Sequence, residues 1–131
     1  MPANDLMALL HELPKLVNDD EVLTRQGRFL DTDVLLGIGS TPCHIAIRSG
    51  RIASLECGPG FMRSWSFAVR GGENAWRQFW QPLPPPHFHD VFALAKAGEF
   101  TIEGDFYPLM SNILYFKRML AAPRRIAGGA I

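Results

Sequence analysis

Apolar positions along the chain change period several times, and each change marks an element. Leu6, Leu9, Leu10 and Leu13 recur at helical spacing behind Asn4 or Asp5, either of which can cap a helix, and Leu16 and Val17 carry the same face past Pro14. Asn18-Asp19-Asp20-Glu21 is a polar break. From Gly27 the period becomes two. Arg28 to Ile38 reads as a strand with Leu30, Thr32, Val34, Leu36 and Ile38 on one face and Asp31, Asp33 and Leu35 on the other. Cys43 to Arg48, Arg51 to Cys57 and Ser64 to Arg70 read as three more strands. Gly39-Ser40-Thr41-Pro42, Ser49-Gly50 and Gly58-Pro59-Gly60 supply the turns between them. After Gly71-Gly72 the helical period returns, with Ala75, Trp76, Phe79 and Trp80 on one face. The run from Gln81 to Pro86 excludes helix, and Asp90 caps a helix over Val91 to Ala97. Phe100 and Ile102 then alternate with Glu99, Thr101 and Glu103 in a short strand. Gly104 turns the chain, and Asp105 caps a last helix from Phe106 to about Ala122, stopped by Pro123.

This order, a run of strands followed by helices, predicts an α+β domain with helices packed on one face of a largely antiparallel sheet. A single domain over residues 1–122 and a flexible tail over 123–131 are expected. The last helix carries two apolar stripes. Phe106, Leu109, Ile113, Phe116 and Leu120 form one, and Tyr107, Met110 and Leu114 a second, offset by roughly a quarter turn or more. One stripe is enough for a sheet. The second needs a neighbouring helix, a ligand cavity, another subunit or a membrane to cover it, unless the helix is simply buried in the core.

Charge narrows the partners. The chain has 13 Lys and Arg against 13 Asp and Glu, so its formal net charge is zero and general electrostatic attraction to nucleic acid is absent. Lys117, Arg118, Arg124 and Arg125 read as a solvated helix end favoured by the macrodipole. No run of about 20 apolar residues is present to span a membrane, and with no basic leader a cytoplasmic protein is expected. With Ser49-Gly50 as a two-residue hairpin loop, Cys43 faces Glu56 and Cys57 points to the opposite face, so the two cysteines are expected not to bond.

Candidate chemistry is sparse. His87-Phe88-His89 places two imidazoles on one side of an extended segment, but no second ligand pair completes a metal site, and neither metal nor cofactor is expected. Cys43 and His44 are adjacent on a strand and point apart, so they form no nucleophile–base pair. Gly37-Ile38-Gly39 precedes a strand rather than a helix and is not a dinucleotide loop. Asp31 and Asp33 share a strand face as exposed carboxylates.

The segment Ala93-x-x-x-x-Gly98-x-Phe100-x-Ile102-x-Gly104-Asp105, with the Ser49-Gly50-Arg51-Ile52 hairpin and Trp76 before it and the apolar helix after it, resembles the sterol carrier protein (non-specific lipid transfer protein) family in its stand-alone form. The resemblance spans roughly residues 20 to 122. It implies a five-stranded sheet covered by helices with an apolar cavity between them, and no catalytic residues. The proline run, His87-Phe88-His89 and the aromatic stretch Phe61 to Val69 depart from the family pattern.

The expected function is therefore binding, transfer or presentation of an apolar small molecule such as a fatty acyl, sterol-like or aromatic compound. Trp65, Phe67, Trp76, Phe100, Met110 and Leu114 are the candidate wall residues. The alternatives are a cofactor-free enzyme on the same pocket, with His87, His89, Asp31 or Tyr107 as acid or base, and a non-catalytic accessory subunit. Transient membrane contact and a homo-oligomer or enzyme partner are compatible with the pattern.

Overall fold

The structure, a computed structural model, describes residues 2–58, 64–81 and 90–124, with side chains from Leu6 onward. Three short helices open the chain: α1 (Pro2–His11), α2 (Leu13–Asn18) and α3 (Glu21–Gln26). The first two carry the predicted face, and Leu6, Leu10, Leu13 and Val17 are buried. The polar break does more than separate helices. Asp20 caps α3, accepting the Leu23 amide N–H at 3.2 Å.

The strands are β1 (Asp31–Ile38), β2 (Thr41–Arg48), β3 (Arg51–Cys57), β4 (Phe67–Gly71) and β5 (Phe100–Gly104), in the spatial order β3-β2-β1-β4-β5. Neighbours are antiparallel except β1 and β4, a parallel pair at the centre, so the sheet is mixed. Val34, Leu36, Ile45, Ile47, Phe67, Val69 and Phe100 point to the helical side and form the core with α1–α3, α4 (Glu73–Phe79), α5 (Val91–Lys96) and α7 (Ile113–Ala121). The other face carries charge. There Asp33 accepts from Arg48 at 2.8 Å and lies 3.3 Å from His44 Nε2, while Asp31 accepts the Ser49 amide N–H at 2.7 Å. The two aspartates are thus engaged separately. Ser64 and Trp65 lie on this outer face as the chain returns to the centre of the sheet: the Ser64 carbonyl is 3.2 Å from His44 Nε2, and Trp65 lies beside Arg70. The fourth strand begins at Phe67 rather than Ser64, which removes Trp65 from the strand's core face.

The cysteine expectation is overturned: Cys43 and Cys57 are joined by a disulfide. The Ser49-Gly50 loop is as read, with positive φ at both residues (54° and 77°) as a primed hairpin turn requires. Arg48 pairs with Arg51 and Ile47 with Ile52, but Ala46 pairs with Ser54. The extra residue, Ala53, is a bulge. It shifts the register by one, so Cys43 faces Cys57 and Glu56 moves opposite His44.

The last helix is also corrected. It is two helices, α6 (Phe106–Ser111) and α7, broken at Asn112 (φ −128°, ψ 39°). The Asn112 side chain donates to the Pro108 carbonyl at 3.0 Å. A short amide competing with the backbone in this way ends helices, and the Ser111-Asn112 pair is the sequence cue. At the helix start, Asp105 accepts the Tyr107 amide N–H at 3.0 Å, and Asp90 caps α5 in the same manner at 3.1 Å, both as predicted.

Candidate ligand-binding cleft

Two helices are held down by their aromatic polar atoms. Trp76 on α4 is fully buried and donates its indole N–H to the Gly37 carbonyl at 2.9 Å. Trp80, one residue past α4, donates to the Leu120 carbonyl at 2.7 Å. Tyr115 on α7 donates to the Gly50 carbonyl at 2.8 Å, and burial pushes its phenol well above the ordinary range. Each bond draws a ring into the core to a fixed depth, because a buried N–H or O–H must find an acceptor.

Among the described residues no such anchor holds α6. Between α5, β5 and α6 lies a cleft of about 500 Å³. Phe92 and Ala95 line it from α5, Phe100 and Ile102 from β5, and Phe106, Leu109 and Met110 from α6. Lys96 and Thr101 are its only side chains with a formal charge or hydroxyl among the described residues. Leu109 is buried at its base, while Phe106 and Met110 are 47 % and 56 % exposed. A capped six-residue helix with one buried side chain is left standing off the sheet.

The six wall candidates divide. Phe100 and Met110 line the cleft. Phe67 and Trp76 are wholly buried in the core, Phe67 edge-on to Phe116 at 5.0 Å and Trp76 against Phe100 at 4.6 Å. Trp65 is on the opposite face of the sheet, with the Arg70 guanidinium 5.8 Å from its ring centre. Leu114 is 67 % exposed at the start of α7 and does not border the cleft. Phe92, Ala95 and Lys96 were missed. They follow from the 3.6-residue period of α5, but nothing in the sequence says which face of so short a helix meets β5.

Of the acid–base candidates, Asp31 is engaged at the hairpin and Tyr107 is 77 % exposed away from the cleft lining, while His87 and His89 lie outside the described residues. Among the described residues no group of three His, Cys, Asp or Glu side chains is placed to hold a metal ion, and no helix is long and apolar enough to cross a membrane. The basic cluster is tied down rather than merely solvated. Lys117 is 3.6 Å from Asp90, Arg118 2.8 Å from Asp20, and Arg124 donates to the Phe79 carbonyl at 2.9 Å. Arg125 lies outside the described residues.

The architecture is that of sterol carrier protein 2. A crystal structure of sterol carrier protein 2 superposes with a TM-score of 0.71 at 10 % identity, over 89 % of this chain and 94 % of that one. A protein described as UbiJ-SCP2, a ubiquinone synthesis protein, gives 0.56 at 12 % identity over 86 % and 85 %. The apo form of sterol carrier protein 2 from Yarrowia lipolytica gives 0.55 at 7 % identity, over 86 % of each chain. No protein-family model matches the sequence, and no curated protein sequence does.

Proposed function

We propose that the protein binds an apolar small molecule in the cleft between α5, β5 and α6. The observation that carries this reading is an apolar wall left open between α5, β5 and α6. Phe106 and Met110 remain half exposed beside a space of about 500 Å³, a size within the roughly 300–1,000 Å³ of small-molecule sites. Burying ligand surface there contributes roughly 25 cal/mol per Å² of apolar area. Lys96 and Thr101 at the rim orient a polar end such as a carboxylate. Fold neighbours named for sterol carriage and for ubiquinone synthesis support an apolar ligand class. Binding is favoured over catalysis because, among the described residues, the cleft lining brings one titratable side chain, Lys96, and no acid–base pair.

The test is displacement of a fluorescent fatty acid, paired with solvent extraction of the purified protein. Ala95→Trp fills the cleft and Met110→Asp places a charge on its wall. Each is expected to weaken binding by roughly tenfold or more while leaving the melting curve in place. Binding untouched by both substitutions would place the ligand elsewhere and remove this reading.

A further inference from the structure

The tip of the β2–β3 hairpin rests against the end of α3 with no side chain between them. A Cβ on Gly50 would fall 2.6 Å from the Gly27 carbonyl carbon. One on Gly27 would fall 2.9 Å from the Gly50 Cα and 2.6 Å from the Tyr115 ring. Hydrogen bonds fasten the contact. The Gly50 amide N–H donates to the Leu30 carbonyl at 3.2 Å, the Ser49 amide N–H to Asp31 at 2.7 Å, and the Tyr115 hydroxyl to the Gly50 carbonyl at 2.8 Å. Two touching glycines bring their chain neighbours together: Arg25 and Arg28 lie on either side of Gly27, and Ser49 and Arg51 on either side of Gly50.

The result is a second cleft, also of about 500 Å³, lined by Arg25, Arg28 and Arg51 with Thr24 and Ser49, and by one carboxylate, Glu21. Among the described residues it shares no lining side chain with the apolar cleft. Arg48, Arg70 and Arg118 elsewhere each pair with a carboxylate. Among the described residues Arg25, Arg28 and Arg51 have no such partner. Two of these guanidinium groups are held in place. Arg28 donates to the Arg25 carbonyl at 2.8 Å and lies 4.8 Å from the Phe29 ring centre, and Arg51 donates to the Asn18 carbonyl at 3.2 Å. Like charges gathered in one cleft repel each other until an anion joins them.

We propose that this cleft is an anion site for a soluble phosphorylated small molecule, whose phosphate monoester or diphosphate group is received by Arg25, Arg28 and Arg51. A guanidinium presents a planar fork of N–H donors that matches phosphate oxygens two at a time. Three arginines against one glutamate suit a group with close to two negative charges and several acceptor oxygens, which a phosphate has and a single carboxylate lacks. The Ser49 hydroxyl adds a neutral donor on the hairpin side. The volume exceeds that of a bare phosphate and leaves room for the organic part of the ligand. This proposal does not depend on the apolar cleft, because anion binding is measured without any apolar ligand.

Isothermal titration of the full chain with pyrophosphate and with inorganic phosphate tests it. Both are expected to bind, pyrophosphate more tightly, and both more weakly as salt is raised. Arg28→Gln should weaken pyrophosphate binding roughly tenfold, and the triple variant R25Q/R28Q/R51Q should abolish it. Arg70→Gln, whose guanidinium pairs with Glu103, should leave it unchanged. Pyrophosphate should also raise the melting temperature of the wild type and not that of the triple variant. No binding of either anion, or binding that survives the triple variant, would refute the site. Citrate bound as tightly as pyrophosphate would overturn the preference for phosphate. Sedimentation with vesicles containing phosphatidic acid, while pyrophosphate neither binds nor displaces them, would overturn a soluble ligand.

Discussion

The helical layer is finished differently at its two ends. Around α4 the rings of Trp76, Phe79, Trp80 and Phe100 meet at centroid distances of 4.6 to 6.0 Å, and none is more than 2 % exposed. Around α6, against the same strand β5, a cleft remains and the wall residues Phe106 and Met110 are about half exposed. Apolar content does not explain the difference, since α6 is the more apolar of the two helices. What separates them is anchorage. The indoles of Trp76 and Trp80 must reach buried carbonyls, that of Gly37 on β1 and that of Leu120 on α7, and in reaching them they fix α4 against the sheet and against α7. The six residues of α6 have a cap at Asp105 and a break at Asn112, and no buried polar atom that draws the helix inward. A stripe of hydrophobic side chains is attracted to the core, but without a fixed contact it stops wherever backbone connections hold it.

Substitutions can break this comparison. The largest effect is expected from Trp76→Ala, which opens a cavity under α4 and orphans the Gly37 carbonyl. A loss of about 3–5 kcal/mol in urea unfolding is expected. Next is the far edge of the sheet, where the Cys43–Cys57 disulfide closes a hairpin with a sequence separation of 14. Replacing both cysteines by alanine should cost about 3 kcal/mol and leave fatty-acid displacement unchanged, because the cleft borders β5 and the disulfide lies in β2 and β3. Altered displacement would show that the edges communicate.

Tyr115→Phe should cost about 1–3 kcal/mol by leaving the Gly50 carbonyl unpaired, and it carries a pH signature. The folded phenol titrates above its ordinary value of 10.0. Its contribution is therefore complete below that pH and is lost as pH rises past it, when the unfolded chain ionises first. The wild type should lose stability above about pH 10 more steeply than the phenylalanine variant, as read by denaturant melts across alkaline pH. The smallest effect is expected at the open end. Met110→Ala should change stability by no more than about 0.5–1 kcal/mol, yet weaken ligand binding. A loss comparable to that of Trp76→Ala would show α6 to be anchored like α4.

Much of the fold was legible because local chemistry dictates it. Period-two alternation located the strands, Asp90 and Asp105 announced their helices, and the Trp76 face was readable from its spacing. The misreadings have physical causes. The disulfide was missed because a bulge at Ala53 leaves no mark in the alternation yet moves every residue beyond it by one partner. The break at Asn112 was missed because the apolar wheel continues across it, although a serine and an asparagine stand at the interruption. Trp65 looked like a strand residue because its spacing from Phe67 is two, but pairing with β1 begins only at Phe67.

By itself the sequence determined the kind of each element, the buried face of most of them, and the presence of more apolar surface on the last helical segment than one sheet needs. Only the tertiary structure decided where that surplus lies. Side-chain period is a property of single elements, whereas register, helix depth and the space left between α5, β5 and α6 depend on contacts between residues distant in the chain. Those contacts set the cleft, and through Tyr115 they seat α7 against Gly27 and the hairpin at Gly50, far from it in sequence.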